Sequence, residues 1–307
     1  TMPNPDLNPT TGSTPSTDDW AARARALAPD VRPFIDGARA EVPGLGTFDC
    51  VNPHTGRTVA RLPRCAGAEV DRAVSAARGA LARSPVPGAW ADPATRAAGL
   101  LALADAVERH GQELALLDSL SMGIPISVAL ADLPESLSTL RQPVEALAAL
   151  DDEVLPARPG ATAINRRMPH GVVGLITPWN FPLYTALAGG CGAGERQRIH
   201  ALRTGDPLDP GTALGPLAST PQWTRVNGYV RDALAGGAQA LGAYDAASAS
   251  ACHFRPVVID RVGTEAAIVQ EEVFGPVATL HAFDTPEEAL AMANATRYGL
   301  SASVWVD

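Results

Sequence analysis

GVVGLITPWNFPL, residues 171–183, is the stretch whose reading decides the fold. Residues 172–176 are a continuous apolar run, the pattern of a strand buried on both faces. Thr177 and Pro178 end the run, and LYTALAGG (183–190) continues at helical spacing. A buried strand that feeds a helix is the repeating unit of α/β folds, so a parallel sheet with crossover helices is predicted. Yet no further β-branched run occurs between Leu183 and Phe254. Strands return only with RPVVID (255–260), VATLHAF (277–283) and LSASVWV (300–306). The sheet is begun and not completed.

On the N-terminal side, order is expected from about Trp20, after a Pro/Thr/Ser tail over residues 1–19. FDCVNPHTGRTVARLP (48–63) has two β runs about turn signals at Asn52-Pro53 and Thr55-Gly56, a hairpin pattern. Val70, Ala73, Val74, Ala77 and Leu81 then fall at helical spacing and predict an inward apolar stripe. Asp92 as N-cap with Pro93 behind it opens a second helix, striped by Leu100, Leu103, Ala104 and Val107. That helix pauses at His110-Gly111, and QELALLDSLSMG (112–123) forms a shorter one.

Beyond the apolar run lie a glycine-rich link (189–194), a helical piece ERQRIHALRTG (195–205) and a proline-rich loop. A capped helix is predicted from Thr220-Pro221, with Val226, Tyr229, Val230, Ala233 and Leu234 inward and Gly236-Gly237 as its stop. Thr285-Pro286-Glu287-Glu288 has capping-box spacing for a last helix.

Composition narrows the function classes. The net charge of −9 over 307 residues argues against a nucleic-acid or anionic-membrane partner. All 24 basic residues are Arg, so no Schiff base, lysine base or lysine phosphate clamp is available. Four cysteines without a CxxC pair fit a reducing, cytoplasmic setting. No apolar run approaches a membrane span, and the N-terminus has no signal-peptide pattern. The six histidines lack HxxxH and HExxH spacing, so a metal site is not expected. Cys50 and Cys65 are expected to be small buried hydrophobes.

GVVGLITPWNFPL together with EEVFGPV (271–277) resembles the aldehyde dehydrogenase superfamily. Supporting stretches are residues 48–63, LRTGDPLDPGTALGPL (202–217) and ANATRYGLSASVWV (293–306). The resemblance covers the chain from about Phe34 to Val306 and is nearest to the muconic-semialdehyde and betaine-aldehyde types. It implies an α/β fold with a Rossmann-like NAD or NADP domain, a catalytic domain and a β arm for oligomerisation. It also implies aldehyde oxidation by a cysteine thiolate, with hydride passing to nicotinamide and a glutamate activating water.

Carried over residue by residue, Asn180 resembles the amide donor to the developing oxyanion, and such a donor is typically worth roughly 2.7–4 kcal/mol. Trp179 resembles the edge of the cofactor groove. Glu272 resembles the carboxylate on the nicotinamide ribose, and Phe274 the residue beside the nicotinamide ring. Residues 162–170 resemble the oligomerisation hairpin. From the residues alone, Asn180 could equally close a strand–helix turn, and Glu272 could be a solvated loop acid.

Other parts of the family's pattern are missing. The resemblance calls for a second βαβ unit with a ribose-binding lysine, a glycine turn under the pyrophosphate, a catalytic glutamate and the cysteine nucleophile. Here LYTALAGG passes straight to GERQRIHALRTGDP. Ile124 stands where the family often has lysine, and the chain stops at Asp307, before the family's closing strands. Cys191, in GGCGAG, is the candidate for a relocated nucleophile, but it follows a helix, whose dipole raises a thiol's pKa. Cys252-His253 adjoins a strand start, where neighbouring side chains diverge, which argues against a dyad.

The expected architecture is therefore a truncated member of that fold. Residues 20–190 form an incomplete cofactor-domain-like part and residues 191–307 a partial catalytic-domain-like part. Three functions are compatible. The first is an assembly or pseudoenzyme subunit, paired with itself or with a full-length aldehyde dehydrogenase. The second is NAD(P)-dependent oxidation of an aldehyde or semialdehyde, if the missing segment is present or supplied by a partner. The third is a fold repurposed for another small molecule.

Overall fold

The computed structural model describes residues 15–42, 44–82, 92–148, 152–158, 160–165, 170–188, 203–241, 244 and 252–299. Helix α1 (Thr17–Ala26) starts inside the stretch expected to be tail, because Ser16 and Asp19 form a reciprocal capping box at its N-terminus. Hairpins β1 (Phe34–Ile35)/β2 (Ala38–Arg39) and β3 (Thr47–Val51)/β4 (Thr58–Pro63) follow, and the second sits where FDCVNPHTGRTVARLP predicts it. Asn52 Oδ1 closes its turn by accepting from the backbone N–H groups of His54 and Thr55.

A helical body comes next: α2 (Gly67–Ala82), α3 (Pro93–Arg109), α4 (Gly111–Met122), α5 (Ile126–Ala131) and α6 (Leu133–Ala148). Asp92 caps α3 with Pro93 at its first turn, as expected. The helices bury two apolar clusters. Trp20, Leu116, Leu120 and Ile126 centre one; Ala104, Val107, Leu137 and Leu140 centre the other. The stripe expected on α2 is not buried: Val70 and Leu81 are exposed and no described α2 side chain is fully covered. An amphipathic helix buries its stripe only where a second layer meets it, and Leu81 lies beside Gly171, where a Cβ would come within 3.6 Å of it.

Hairpin β5 (Glu153–Leu155)/β6 (Ala163–Asn165) pairs antiparallel and leads toward the decisive stretch, with residues 166–169 outside the described ones. Here the structure corrects the sequence reading. Residues 172–176 are not a buried strand: they carry no ladder, Val173 and Leu175 are 61% and 62% exposed, and Ile176 is fully exposed. The apolar pattern records a strand that needs neighbours on both sides, and among the described residues none is there to pair with it. Helix α7 (Pro182–Ala188) does follow. Cys191 and most of the expected helical piece 195–205 lie outside the described residues.

The C-terminal unit is α/β. Helix α8 (Thr220–Ala235) packs on the three-stranded sheet β7 (Gln239–Leu241), β8 (Val257–Asp260) and β9 (Val277–Leu280), with α9 (Ala267–Gln270) and α10 (Pro286–Ala293) beside it. Strands β8 and β9 are parallel, with Val257 opposite Val277 and Asp260 opposite Leu280. Val226, Val230 and Ala233 face Val257 and Ile259 as their spacing predicts. Strand β7 went unpredicted because Gln239-Ala240-Leu241 has no β-branched residue to mark it. LSASVWV lies outside the described residues.

The loop 203–217 ties the two units. Ile126 N–H donates to the Pro207 carbonyl at 2.7 Å, and Leu217 N–H to the Cys252 carbonyl at 2.9 Å. Gly215 approaches Gly123 so closely that a Cβ on Gly215 would lie 1.8 Å from the Gly123 carbonyl oxygen. Gly123 itself ends α4 in the left-handed region, φ 79°, which glycine adopts without strain.

Candidate functional site

Segment 271–277 is held from below by α8. Gly275 lies against Val226, where a Cβ would come within 2.7 Å of a Val226 methyl. Arg225 Nη2 donates to the Glu272 carbonyl at 3.1 Å, and the Gln222 amide donates to the Phe274 carbonyl. These anchors fix Phe274 at φ 56°, a conformation an L side chain adopts only when its surroundings impose it. The Phe274 ring is thereby brought against Trp179, with ring centroids 5.0 Å apart and planes at 73°. Edge-to-face pairs of this kind are favoured by the ring quadrupoles.

So the structure brings Trp179 and Phe274 together across 95 positions of sequence. The Glu272 side chain is exposed. Its neighbour Glu271 is the carboxylate that is tied down, by Arg297 at 2.7 Å and by the Tyr298 hydroxyl at 3.1 Å. Asn180 sits at the entrance to α7 and does not serve as a turn-closing acceptor: its Oδ1 is buried without a hydrogen-bond partner among the described residues. The turn is spanned by Thr185 instead, whose hydroxyl lies 3.2 Å from the Pro178 carbonyl and 2.6 Å from that of Phe181.

The N-terminus of α7 is met by an acid. Asp118, from α4, accepts from Leu183 N–H at 3.3 Å. Burial pushes its pKa up to about 6, against the pull of that N–H, and nearby Asp132 adds to the rise. Desolvation disfavours the charged carboxylate more than one hydrogen bond favours it. Burial alone raises Asp132 as well. The one signal of this site in the sequence is Asp118, an acid within the leucine-rich LALLDSL.

Cys252 is buried with its Sγ 3.7 Å from the Thr220 hydroxyl, whereas His253 turns the other way onto His54. The two side chains diverge without the strand alternation expected of them: β8 starts only at Val257, and Cys252 has φ 52°. Cys50 is half-buried, and burial pushes its thiol pKa up. Cys65 is exposed, against expectation, because it lies in the link between β4 and α2 and no layer covers that link.

Three groups that sequence spacing could not associate do meet. His54 Nδ1 and His253 Nε2 are 2.9 Å apart, and Asp206 Oδ2 is 3.7 Å from His54 Nε2. Among the described residues no group of three or more His, Cys, Asp or Glu side chains, this one included, is arranged so that it could hold a metal ion, and no helix is long and apolar enough to cross a membrane.

The model of the Aldehyde dehydrogenase family matches residues 41–193 and 195–307. The match breaks at residue 194, inside the glycine-rich link. The chain is 27% identical to the aminoacetaldehyde dehydrogenase of Pseudomonas aeruginosa, covering 94% of this chain and 86% of that protein. That alignment runs over 432 positions, although the chain has 307 residues, so a long internal stretch of the relative has no counterpart here. A shorter match, 41% identical over 109 residues, is to a betaine aldehyde dehydrogenase of Cereibacter sphaeroides, 36% of this chain and 23% of that one. Among solved structures, the indole-3-acetaldehyde dehydrogenase of P. syringae, in complex with NAD+, superposes with a TM-score of 0.83 at 26% identity. It covers 93% of this chain and 86% of that one.

Proposed function

The chain belongs to the aldehyde dehydrogenase family, and from that premise we propose that it is an assembly or pseudoenzyme subunit that keeps the family's frame without its oxidation chemistry. One observation carries this reading. The match to the family breaks between residues 193 and 195, and the strand run just before the break, residues 172–176, lies open instead of paired. The segment that the resemblance credits with nucleophile, general base and pyrophosphate turn belongs in that break.

NAD(P) is the cofactor the family implies, and the residues present do not fit it. A dinucleotide needs a glycine turn and a free helix N-terminus after a paired strand. Here the strand is unpaired, and the helix after it receives the Asp118 carboxylate at its first free N–H. An acid in that place repels a phosphate. Phe274 rests on Trp179 in place of an open nicotinamide face. Asn180 keeps an amide that could meet an oxyanion, whereas the buried thiol of Cys252 lies against the Thr220 hydroxyl. NAD binding no tighter than roughly millimolar is expected, near −4 kcal/mol.

The partners that suit this role are a second copy of the chain or a full-length family member, met through the β5–β6 hairpin or through the open stretch. The test is aldehyde turnover by the purified chain with NAD or NADP, using simple and semialdehyde substrates. No oxidation is expected, and Asn180→Ala and Cys191→Ala should leave the background unchanged. Turnover abolished by Cys191→Ala would instead make Cys191 a relocated nucleophile. Turnover appearing only with a second polypeptide would make the chain one half of a split enzyme.

A further inference from the structure

We propose that the cavity between α1 and the bend joining α3 to α4 is a binding site for a small organic carboxylate with an apolar body. It shares no lining residue with segments 171–183 and 271–277, so the inference goes beyond the assembly reading.

The bend creates both the space and its polarity. His110 ends α3 and opens α4 at once, at φ −103°, and supplies no side-chain cap to α4. The first N–H groups of a helix have no intrahelical acceptor, and with the helix dipole they favour an anion. His110, Gln112 and Glu113, at that helix start, line a cavity of about 660 Å³, a size that small-molecule sites commonly have. Helix α1 contributes Trp20, Arg23 and Leu27 to the wall. Trp20 is fully buried, and its indole N–H has no acceptor among the described residues. A buried donor left unpaired is costly, and a ligand oxygen at this wall supplies what it lacks. Access to the ring is through Arg23, an exposed side chain whose guanidinium lies over it, 4.8 Å from the centroid, and can swing aside.

The charges choose the ligand. Glu108 is engaged by Arg141 at 2.6 Å, and Glu113 lies 3.3 Å from His110 Nδ1. Arg23 is held by neutral partners, the Gln112 side-chain carbonyl at 2.6 Å and the Trp20 ring. The Arg109 guanidinium has no hydrogen-bond or ion-pair partner among the described residues. Two guanidiniums without a carboxylate therefore meet one helix start without a side-chain cap. The fork of a guanidinium matches a planar carboxylate. Trp20, Leu27 and Leu116 offer the apolar wall that an alkyl or aryl body needs. A doubly charged phosphate ester suits the cavity less, because Glu108 and Glu113 also line it.

Nuclear magnetic resonance on the whole isotope-labelled chain tests this, with benzoate as probe and benzamide as its uncharged match. Trp20→Phe identifies the Trp20 indole N–H signal by its loss. That signal should shift saturably with benzoate, with a Kd below about 1 mM, and benzamide should bind at least about tenfold more weakly. Arg109→Gln should weaken benzoate at least about tenfold with the melting temperature unchanged, because the side chain is exposed. Glu113→Gln should tighten binding, since a like charge is removed. The absence of a saturable shift of the Trp20 signal up to about 10 mM benzoate overturns the proposal. Equal affinity for acid and amide overturns it too, and so does binding that Arg109→Gln leaves unchanged.

Discussion

His54 Nδ1 lies 2.9 Å from His253 Nε2, across 199 positions of sequence. One imidazole donates and the other accepts, so the contact needs at least one ring neutral at the facing nitrogens. Burial and then the neighbouring His54 hold His253 below the ordinary histidine range, against the pull of Asp206. A folded-state pKa below the unfolded value means that the unfolded chain binds the proton more readily. The stability this pair contributes is therefore full above pH 6.5 and is lost as pH falls through the depressed His253 pKa. Urea denaturation at stepped pH should show this loss. His253→Asn should flatten it, and an unchanged acid slope in that variant would refute the assignment.

Asp118 has the opposite sign in an overlapping window. Its folded-state pKa, about 6, is above the ordinary aspartate value. Its stability contribution is full below the unfolded pKa and is lost as pH rises through 6. Asp118→Asn keeps an acceptor for Leu183 N–H and removes the buried charge. The variant should be more stable than the parent above pH 7, by on the order of 2 kcal/mol, with no gain at pH 4. Because His253 and this acid pull in opposite directions, only the single variants separate their slopes.

How far the sequence foretold this depends on range. Local signals held: Asp92-Pro93 opens α3, Thr285 opens α10 and the turn at Asn52 closes its hairpin. Each is settled by hydrogen bonds within a few residues. The apolar run at 172–176 was legible as a strand but failed to become one, since a strand is completed by neighbours that the run itself cannot supply. In the site, Phe274 and Trp179 were named from the resemblance, and the structure sets them in contact. Gln222 and Arg225, which hold segment 271–277 in place, carried no signal beyond their place on the outer face of α8. Nor could the meeting of His54, His253 and Asp206 be read from spacing, because it depends on how the loop 203–217 docks.

The aromatic pair can be measured directly. In a double-mutant cycle, Trp179→Ala and Phe274→Ala should be non-additive by about 0.5–1.5 kcal/mol, the worth of an edge-to-face contact beyond its buried area. Strict additivity would mean that the rings touch without helping one another. Phe274→Gly should cost less than Phe274→Ala, since both lose the ring but glycine accepts φ 56° without the backbone strain that alanine keeps.

Gly215→Ala tests the seam between the helical body and the α/β unit. The added methyl would fall 1.8 Å from the Gly123 carbonyl oxygen, a backbone atom that cannot swing aside as a flexible side chain would. Gly123 cannot retreat easily either, because it ends α4 in the left-handed region and a Cβ of its own would already crowd Pro216. Relief must come from moving the whole loop 203–217, which breaks the Ile126-to-Pro207 and Leu217-to-Cys252 hydrogen bonds. Overpacking typically costs roughly 1–3 kcal/mol where side chains can adjust, so a loss of at least about 3 kcal/mol is expected here. Gly228→Ala, on the open side of α8 where nothing lies within 4 Å, is the matched control and should be neutral or stabilising by about 0.5–1 kcal/mol. Thermal denaturation of the two variants decides the point: equal melting temperatures would mean that the two units do not meet at Gly123 and Gly215.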